Sequence, residues 1–170
     1  MSITLSGTAL TSSSYSIVEN SGGKLLSDNQ NVLASCPYTY GTASFQVDAA
    51  ITITGVLPSG GTTAIDLKAV TKNAFGISST VGFSGIKSLV VANTATDSGR
   101  DISIRATGTG ACTGFFNGGS GNLLIKPYSA FSYNDPYTGV RTNSSSKLIS
   151  LFDVSGSGAS YSVSILGSLT

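Results

Sequence analysis

Residues 50–54 read Ala-Ile-Thr-Ile-Thr and alternate strictly between apolar and polar side chains up to Gly55. Successive side chains of a β-strand point to opposite faces, so this alternation predicts a strand with one buried face. The run Pro-Ser-Gly-Gly at 58–61 is typical of a turn, and residues 64–67 (Ala-Ile-Asp-Leu) resume the strand pattern. This part of the chain therefore predicts short strands joined by tight turns.

The same signals recur along the rest of the chain. Six further segments are rich in Ile, Val, Thr or aromatic residues and are bounded by Gly, Asn, Asp, Ser or Pro. These segments are 86–91, 101–105, 123–126, 130–133, 148–154 and 161–166. No stretch repeats a helical apolar pattern over three turns, and the best candidate, 67–75, is too short to be convincing. The sequence therefore predicts an all-β fold of about eight strands, an antiparallel β-sandwich or jelly roll.

Two glycine-rich runs favour antiparallel pairing of neighbouring strands. Residues 116–119 (Phe-Asn-Gly-Gly) contain Asn-Gly, which is the strongest short hairpin signal. Residues 155–159 (Ser-Gly-Ser-Gly-Ala) join the last two predicted strands. No repeat of constant period is present, which argues against a solenoid or a propeller.

Residues 1–41 differ from the rest, because Ser-, Gly- and Asn-rich runs separate apolar pieces too short to make a core. We expect an extended N-terminal arm here that becomes ordered on a partner, followed by a β-sandwich domain over 42–170. The alternative is that the segment forms the first strand or two of the main domain. The predicted partner contacts in the arm are Tyr15, Ile17, Val18, Leu25 and Leu26.

Charge is scarce in this chain. Only 17 of its 170 residues are charged, nine Lys or Arg and eight Asp or Glu, which leaves a net charge of +1. A charged fraction of 10% is well below the usual quarter for soluble domains. A surface with so few charges is poorly defended against association, so we expect partners to cover it. A net charge this small provides no field to attract a polyanion, so we expect no nucleic-acid partner.

The composition also bears on the cell compartment. No apolar run approaches the 18 residues of a membrane span, so we expect no membrane partner. The opening residues, Met1 to Ser6, lack a basic region and an apolar core, so we expect no signal peptide and synthesis in a cytoplasm. Cys36 and Cys112 would then be reduced thiols, buried or half-buried.

The residues offer little for catalysis or metal binding. The chain has no histidine, which excludes a Ser-His-Asp triad, a Cys-His dyad and a His-ligated metal. The eight acids are spread along the chain. Asp66 and Asp153 lie in strand patterns, where we expect a solvated acid. In the turn 97–101 we expect an acid to cap the turn through its side chain. Neither 28–31 nor 134–135 has the spacing of a calcium loop. We therefore predict no enzyme, no catalytic residue, no metal site and no cofactor.

One aromatic cluster suits sugar stacking. Tyr128, Phe131, Tyr133 and Tyr137 lie within ten residues of each other, close to Asn134 and Asp135. Phe131 and Tyr133 share one face of a predicted strand, however, which is the geometry of core packing. Tyr137, in the turn Asn-Asp-Pro-Tyr-Thr-Gly, is the residue expected to be exposed, and we predict it as a loop contact.

The second half of the chain resembles a known family. Residues 86–93 follow the pattern Ile-Lys-x-Leu-x-Val-x-Asn, and residues 161–167 close the chain with Tyr-x-Val-x-Ile-x-Gly. This succession, over about residues 50–167, resembles small β-sandwich virion proteins of tailed bacteriophages, especially head decoration (cement) proteins. At residues 127–128 the chain has Pro-Tyr where the resemblance expects Pro-Gly. The resemblance carries over no functional residue.

The resemblance implies a structural protein on the outer surface of a virion. Such a protein binds across neighbouring major capsid subunits, stabilises the capsid and often forms a homotrimer, and an arm adding strands at sheet edges would suit it. The alternative is a tail, fibre or head-spike subunit that binds a host receptor, with carbohydrate as one candidate. A third hypothesis, a pilin- or adhesin-like surface subunit, is disfavoured by the expected lack of a signal peptide.

Overall fold

The computed structural model describes residues 6–21, 24–74, 77–106, 108–116 and 121–169, with side chains from residue 35 onward except 72–77. Within these ranges the chain forms fifteen strands and one short 3₁₀ helix, Thr113–Phe116. The strands are β1 (Ser6–Ser21), β2 (Lys24–Tyr40), β3 (Gln46–Val47), β4 (Ala49–Leu57), β5 (Thr62–Asp66), β6 (Val70–Ala74), β7 (Ile77–Val81), β8 (Phe83–Asn93), β9 (Ile102–Arg105), β10 (Gly110–Ala111), β11 (Asn122–Ile125), β12 (Ala130–Asn134), β13 (Val140–Arg141), β14 (Ser146–Asp153) and β15 (Ala159–Leu169).

Two five-stranded sheets make the body of the fold. In the first, the strand order is β12-β8-β15-β4, with β13 also paired to β8. In the second, β14 pairs with β5, β9 and β10, and β11 completes the sheet beside β9. All pairings in these sheets are antiparallel except that of β10 with β14. The predicted all-β sandwich is confirmed, and each of the eight predicted strands is present.

The core lies between the two sheets, and strand alternation builds it. On β15, Ala159, Tyr161, Val163 and Ile165 are buried while the residues between them are half-buried. Ile149 and Leu151 of β14 are buried in the same cluster from the opposite sheet. Burying side chains of this size contributes about 1.5–3 kcal/mol each, so the alternating residues supply the main stabilisation of the sandwich.

The chain crosses between the sheets at one end of the sandwich, and this corrects one prediction. The predicted pairing of the last two strands is wrong, because β14 and β15 belong to different sheets and residues 154–158 cross between them. Three other connections, β4–β5, β8–β9 and β11–β12, cross at this same end, and β13–β14 crosses at the opposite end. Glycine and serine favour a turn whichever strand comes next, so turn chemistry alone did not distinguish a crossing from a hairpin. The predicted hairpin at Asn117-Gly118 lies outside the described residues.

The Asp153 side chain hydrogen-bonds to two of these connections, β4–β5 and β14–β15. The expectation that this side chain is solvated is wrong. Its side chain is 2% exposed. One carboxylate oxygen accepts from the N–H of Gly60 at 2.7 Å and of Gly158 at 2.8 Å. The other oxygen accepts from the N–H of Ser155 at 3.0 Å and from its hydroxyl at 2.6 Å. The carboxylate thus satisfies donors from both crossings that would otherwise be buried without partners.

Asn93 satisfies buried backbone groups in the two remaining connections that cross at this end, β8–β9 and β11–β12. Its buried amide donates to the carbonyls of Arg100 at 2.7 Å and Ile125 at 3.0 Å, and its oxygen accepts from the N–H of Ala95 at 3.1 Å. Tyr128, in the β11–β12 crossing, has φ of 59°, in the left-handed region that favours glycine. This is the position at which the family resemblance expects Gly.

A long hairpin extends from the other end of the sandwich. β1 and β2 pair antiparallel over the full length of β1, from Ser6 opposite Thr39 to Ser21 opposite Lys24. β2 then pairs in parallel with the short β3. The predicted boundary at residues 41 and 42 falls in the bend that follows β2. The sequence predicted the arm as an extended segment; its backbone is a paired hairpin of two strands.

The remaining differences are small. The segment 67–75, the best helix candidate in the sequence, contains a turn and then β6, which pairs with β7 as a separate two-stranded sheet. Among the described residues, no helix has the length and hydropathy needed to span a membrane.

Candidate functional site

A cleft of about 400 Å³ opens at the base of the hairpin. It lies where the bend after β2, the start of β8, the β12–β13 turn and the end of β15 meet. The lining residues are Thr42, Ser84, Gly85, Lys87, Tyr137, Thr138, Arg141, Ser168 and Leu169. Ligand sites in proteins begin at about 300 Å³, so this volume suits a small molecule or one residue of a chain.

The β12–β13 turn is held by Asp135. Its carboxylate accepts from the N–H of Tyr137 at 3.0 Å, of Thr138 at 3.3 Å and of Gly139 at 3.1 Å, and from the Thr138 hydroxyl at 2.9 Å. Burial opposes ionisation, but these four hydrogen bonds outweigh it, and the pKa of Asp135 lies below its usual value. Asp135 is therefore a turn former, as the sequence indicated.

Gly139 lets the turn approach β8. Its φ is 66°, and a Cβ built on it would lie 2.5 Å from the carbonyl oxygen of Ile86. Any side chain would therefore move the turn away from the strand. As a result Tyr137 is presented outward, and 64% of its surface is exposed.

The bend after β2 packs against the same turn. The N–H of Phe45 donates to the carbonyl of Pro136 at 2.7 Å, and the rings of Phe45 and Tyr137 meet edge to face with centroids 5.0 Å apart. Aromatic pairs in this arrangement contribute about 0.5–1.5 kcal/mol beyond the burial of their surface. The Tyr137 ring, which lines the cleft, is therefore supported by its contact with Phe45.

Lys87 and Tyr38 connect the hairpin to the sandwich. Tyr38, on β2, is 2% exposed, and its hydroxyl donates to the carbonyl of Lys87 at 3.1 Å. Burial, reinforced by the hydrogen bond to Cys36, raises the pKa of the Tyr38 phenol, so this hydroxyl stays protonated. Lys87 is itself 3% exposed, and its ammonium donates to the carbonyl of Ala43 in the bend. Charged side chains are rarely buried this deeply unless their charge is paired or their hydrogen-bonding groups are satisfied, as those of Asp153 are.

Arg141 supplies a second cation to the cleft. It is exposed, and its guanidinium has no ion-pair or hydrogen-bond partner among the residues that the structure describes. A guanidinium carries five N–H donors in a planar fork that matches a carboxylate or a phosphate. Sequence reasoning missed Arg141, because the segment around it showed only a polar run after Gly139 and Val140.

The aromatic cluster predicted from the sequence is divided by the fold. Phe131 and Tyr133 pack against the core, Tyr133 edge to face with Phe115 at 5.2 Å, as the shared strand face indicated. Tyr128 is 76% exposed at the β11–β12 crossing, and its hydroxyl donates to the carbonyl of Thr96. Tyr137 alone of the four lines the cleft.

The predicted contacts in the arm can be placed only by their backbone. Tyr15, Ile17 and Val18 lie on β1, and Leu25 and Leu26 lie on β2. Their side chains are outside the part of the chain that the structure describes.

The other acids outside the arm are mostly paired with bases. Asp66 contacts Lys147 at 2.7 Å, Asp101 contacts Lys126 at 2.6 Å, and Asp97 contacts Arg100 at 2.8 Å. The acids of the turn 97–101 thus form ion pairs instead of the expected cap. Within the described ranges, no three Cys, Asp or Glu side chains lie together as metal ligands.

Both thiols are free, Cys112 buried and Cys36 half-buried. Burial raises the pKa of the Cys112 thiol, although hydrogen bonds from Ser146 and Gly114 oppose the shift. A buried, protonated thiol is an inert packing group.

Comparisons with known proteins give no family. No family model matches the chain, and no curated protein matches it. Among solved structures, it is similar to the mitogen YPM from Yersinia pseudotuberculosis, with 18% identity, a TM-score of 0.36, and coverage of 70% of this chain and 86% of that one. We draw no functional conclusion from this likeness.

Proposed function

We propose that this chain is a structural virion protein that decorates a bacteriophage capsid and stabilises it by binding across neighbouring major capsid subunits. The observation that carries the proposal is the outer edge of β1. This strand has 16 residues and pairs with β2 on one side, while the described residues place no strand on its other side.

The β1 edge lacks the devices that usually protect an edge strand. Proteins guard such edges with lysine, proline, bulges or short strands, because the unpaired N–H and C=O groups recruit other chains. β1 contains no lysine, arginine or proline, its only charged residue is Glu19, and its register against β2 has no bulge. At roughly 3.3 Å per residue it offers about 50 Å of backbone for strand addition.

The hairpin register also favours an external partner. Ile17 lies opposite Asp28, Tyr15 opposite Gln30 and Leu26 opposite Glu19, so apolar residues of one strand face polar residues of the other. Cross-strand apolar pairs are what stabilise an isolated hairpin, and this register supplies few of them. We therefore propose that Tyr15, Ile17, Val18, Leu25 and Leu26 contact the capsid subunit.

The base of the hairpin is attached to the sandwich by hydrogen bonds, which suits a protein that holds neighbouring subunits together. Tyr38 and Lys87 tie its base to the sandwich, and Asp48 accepts from the N–H of Leu169 at 2.7 Å close by. Force applied to the arm would therefore pass into the central strands β8 and β15. The scarcity of charge supports the same role, because contacts of Ser and Thr avoid the desolvation of buried charges. We further propose that the protein self-associates, as a trimer.

A binding assay with a matched control tests this proposal. Purified protein is added to expanded empty heads of the phage that encodes the chain, and bound protein and the temperature of head disruption are measured. We expect saturable binding and a raised disruption temperature. Ser14→Lys, which places a guarding charge on the β1 edge, should weaken binding at least tenfold, because a lysine there must be desolvated. Ser144→Lys, at an exposed turn of the sandwich, adds the same charge and should bind like wild type.

Two outcomes would overturn the proposal. Heads that neither bind the protein nor gain stability from it would exclude a decorating role. Equal binding by Ser14→Lys and wild type would exclude the β1 edge as the contact.

The alternative function, a tail, fibre or head-spike subunit that binds a host receptor, is favoured by the exposed Tyr137 beside an open cleft. Blocking of phage adsorption by the free protein, together with labelling of the tail in place of the head, would favour this alternative.

A further inference from the structure

The cleft at the base of the hairpin holds two of the nine basic residues of the chain, Lys87 and Arg141. Among the residues that the structure describes with side chains, no acidic residue lines it. Two carboxylates lie close to the lining, and both are directed to backbone N–H groups. Asp135 accepts four hydrogen bonds within its own turn, and Asp48 accepts from the N–H of Leu169. Neither lies within ion-pair distance of Arg141.

Several donors of the cleft are unused. The Arg141 guanidinium and the hydroxyls of Thr42 and Tyr137 have no hydrogen-bond partner in the described part of the chain. The Lys87 ammonium has three N–H groups, and one of them donates to the carbonyl of Ala43. An anion in the cleft would give this ammonium a charged partner, which it does not have among the residues that the structure describes.

The chemistry of the groups that line the cleft indicates the kind of ligand it would take. A guanidinium binds a carboxylate through two parallel hydrogen bonds, and such charge-assisted bonds are about twice as strong as neutral ones. The exposed ring of Tyr137, braced by Phe45, offers a flat apolar face to the C–H groups of a sugar ring. The hydroxyl of Thr42, on the bend that carries Phe45, can exchange hydrogen bonds with ring hydroxyls.

We propose that this cleft binds a carboxylate-bearing sugar. Arg141 holds the carboxylate, the ring stacks on Tyr137, and Lys87 adds positive charge to the lining of the cleft. The volume of about 400 Å³ accommodates one sugar residue. The inference is independent of the proposed capsid role, since it rests on the cleft and makes no use of β1. A decorating protein could carry such a site on its exposed surface.

The test compares two sugars that differ at the carboxylate. Glucuronic acid and glucose are titrated into the ¹⁵N-labelled full chain, and amide shifts are followed by NMR. We expect glucuronic acid to shift the amides of residues 84–87 and 137–141 with a Kd in the millimolar range. Glucose should bind at least about tenfold more weakly, because it lacks the charge-assisted pair.

Variants assign the roles within the cleft. Arg141→Gln should weaken glucuronic acid binding about tenfold or more and leave the weak binding of glucose unchanged. Tyr137→Ala should weaken both sugars. Tyr128→Ala removes an equally exposed tyrosine at the opposite end of the sandwich and should change neither. Spectra of each variant without sugar show whether it is folded, so loss of binding is separated from loss of structure.

Three results with the two sugars would each overturn the proposal. These are equal affinity for the two sugars, unchanged glucuronic acid binding by Arg141→Gln, and shifts confined to residues outside the cleft. Acetyl-glutamate methylamide serves as a third probe. If it binds as tightly as glucuronic acid, the cleft recognises an acidic peptide side chain, and the sugar assignment fails.

Discussion

Replacing Asp153 by Asn tests how much its carboxylate stabilises the connections that cross between the two sheets. The change keeps the shape of the side chain but removes its charge and two of its acceptor sites. In the native protein, burial alone would raise the pKa of Asp153. The Ser155 hydroxyl and the N–H groups of Gly60, Gly158 and Ser155 outweigh burial and lower that pKa from 3.8 to about 2. An Asn amide has one oxygen, so in either orientation its NH2 group would face N–H donors, those of Gly60 and Gly158 or that of Ser155, and leave them unpaired.

The size of the effect follows from the pKa. A shift of one unit corresponds to about 1.4 kcal/mol, so ionised Asp153 stabilises the fold by roughly 2–3 kcal/mol at neutral pH. For a chain of this length that equals a fall in Tm of about 5–10 °C. Because the folded pKa lies below the unfolded one, this stabilisation is present above pH 4 and is lost as the pH falls toward 2.

The assay is urea unfolding of wild type and Asp153→Asn between pH 7 and pH 2. We expect Asn to lower the free energy of unfolding by roughly 2–3 kcal/mol at pH 7, and most of this difference to disappear by pH 2. Asp97→Asn is the matched control. Its side chain is 65% exposed and pairs with Arg100, so its effect should stay within about 0.5 kcal/mol. A difference below 0.5 kcal/mol for Asp153→Asn at pH 7, or one that is unchanged at pH 2, would show that the charge of Asp153 does not stabilise the fold.

Three further substitutions test other contacts by the same unfolding assay. Tyr38→Phe removes the buried hydrogen bond to the carbonyl of Lys87 and should lower the free energy of unfolding by about 1–2 kcal/mol; an unchanged value would mean that this bond does not hold the hairpin base. Gly167→Ala would place a Cβ 2.3 Å from the carbonyl oxygen of Gly85, so we expect a loss of at least about 2 kcal/mol, and full stability would contradict the close pairing of β8 with β15. Tyr128→Gly relieves a positive φ and should raise stability by roughly 0.5–1 kcal/mol, whereas a loss would show that the bond to Thr96 outweighs the strain.

Strand alternation was the most reliable signal in the sequence. The segment Ala50–Thr54 and the seven other predicted strands each overlap a strand of the structure. Alternation reports directly which face is buried, whereas the segments 86–91 and 123–126 were recognised by their apolar composition and the turn residues around them. β1 and β2 were expected as an extended arm, with one or two strands of the main domain as the alternative. Their Ser- and Asn-rich sequence has little alternation, so the sequence did not indicate that the two strands pair with each other. Short β3 and β13 carry too few residues to show any period.

The candidate site was less accessible from the sequence. The turn residues around Tyr137 predicted an exposed aromatic, because Asp135 and Gly139 are recognisable turn formers. Lys87 was visible only as a polar break in an apolar strand, and Arg141 gave no signal. Their convergence depends on the order of strands in the first sheet, where β13 and β15 both pair with the start of β8. The burial of Asp153 depends in the same way on which connections cross.

We propose that this chain stabilises a virion through the β1 edge, and cryo-electron microscopy of the assembled particle tests this proposal most directly. We expect density for the chain on the outer surface of the capsid, in contact with neighbouring major capsid subunits, with a strand of another chain added along β1. Density for the chain at a tail or fibre tip, or particles that assemble fully without it and are equally stable, would show that the proposal is wrong.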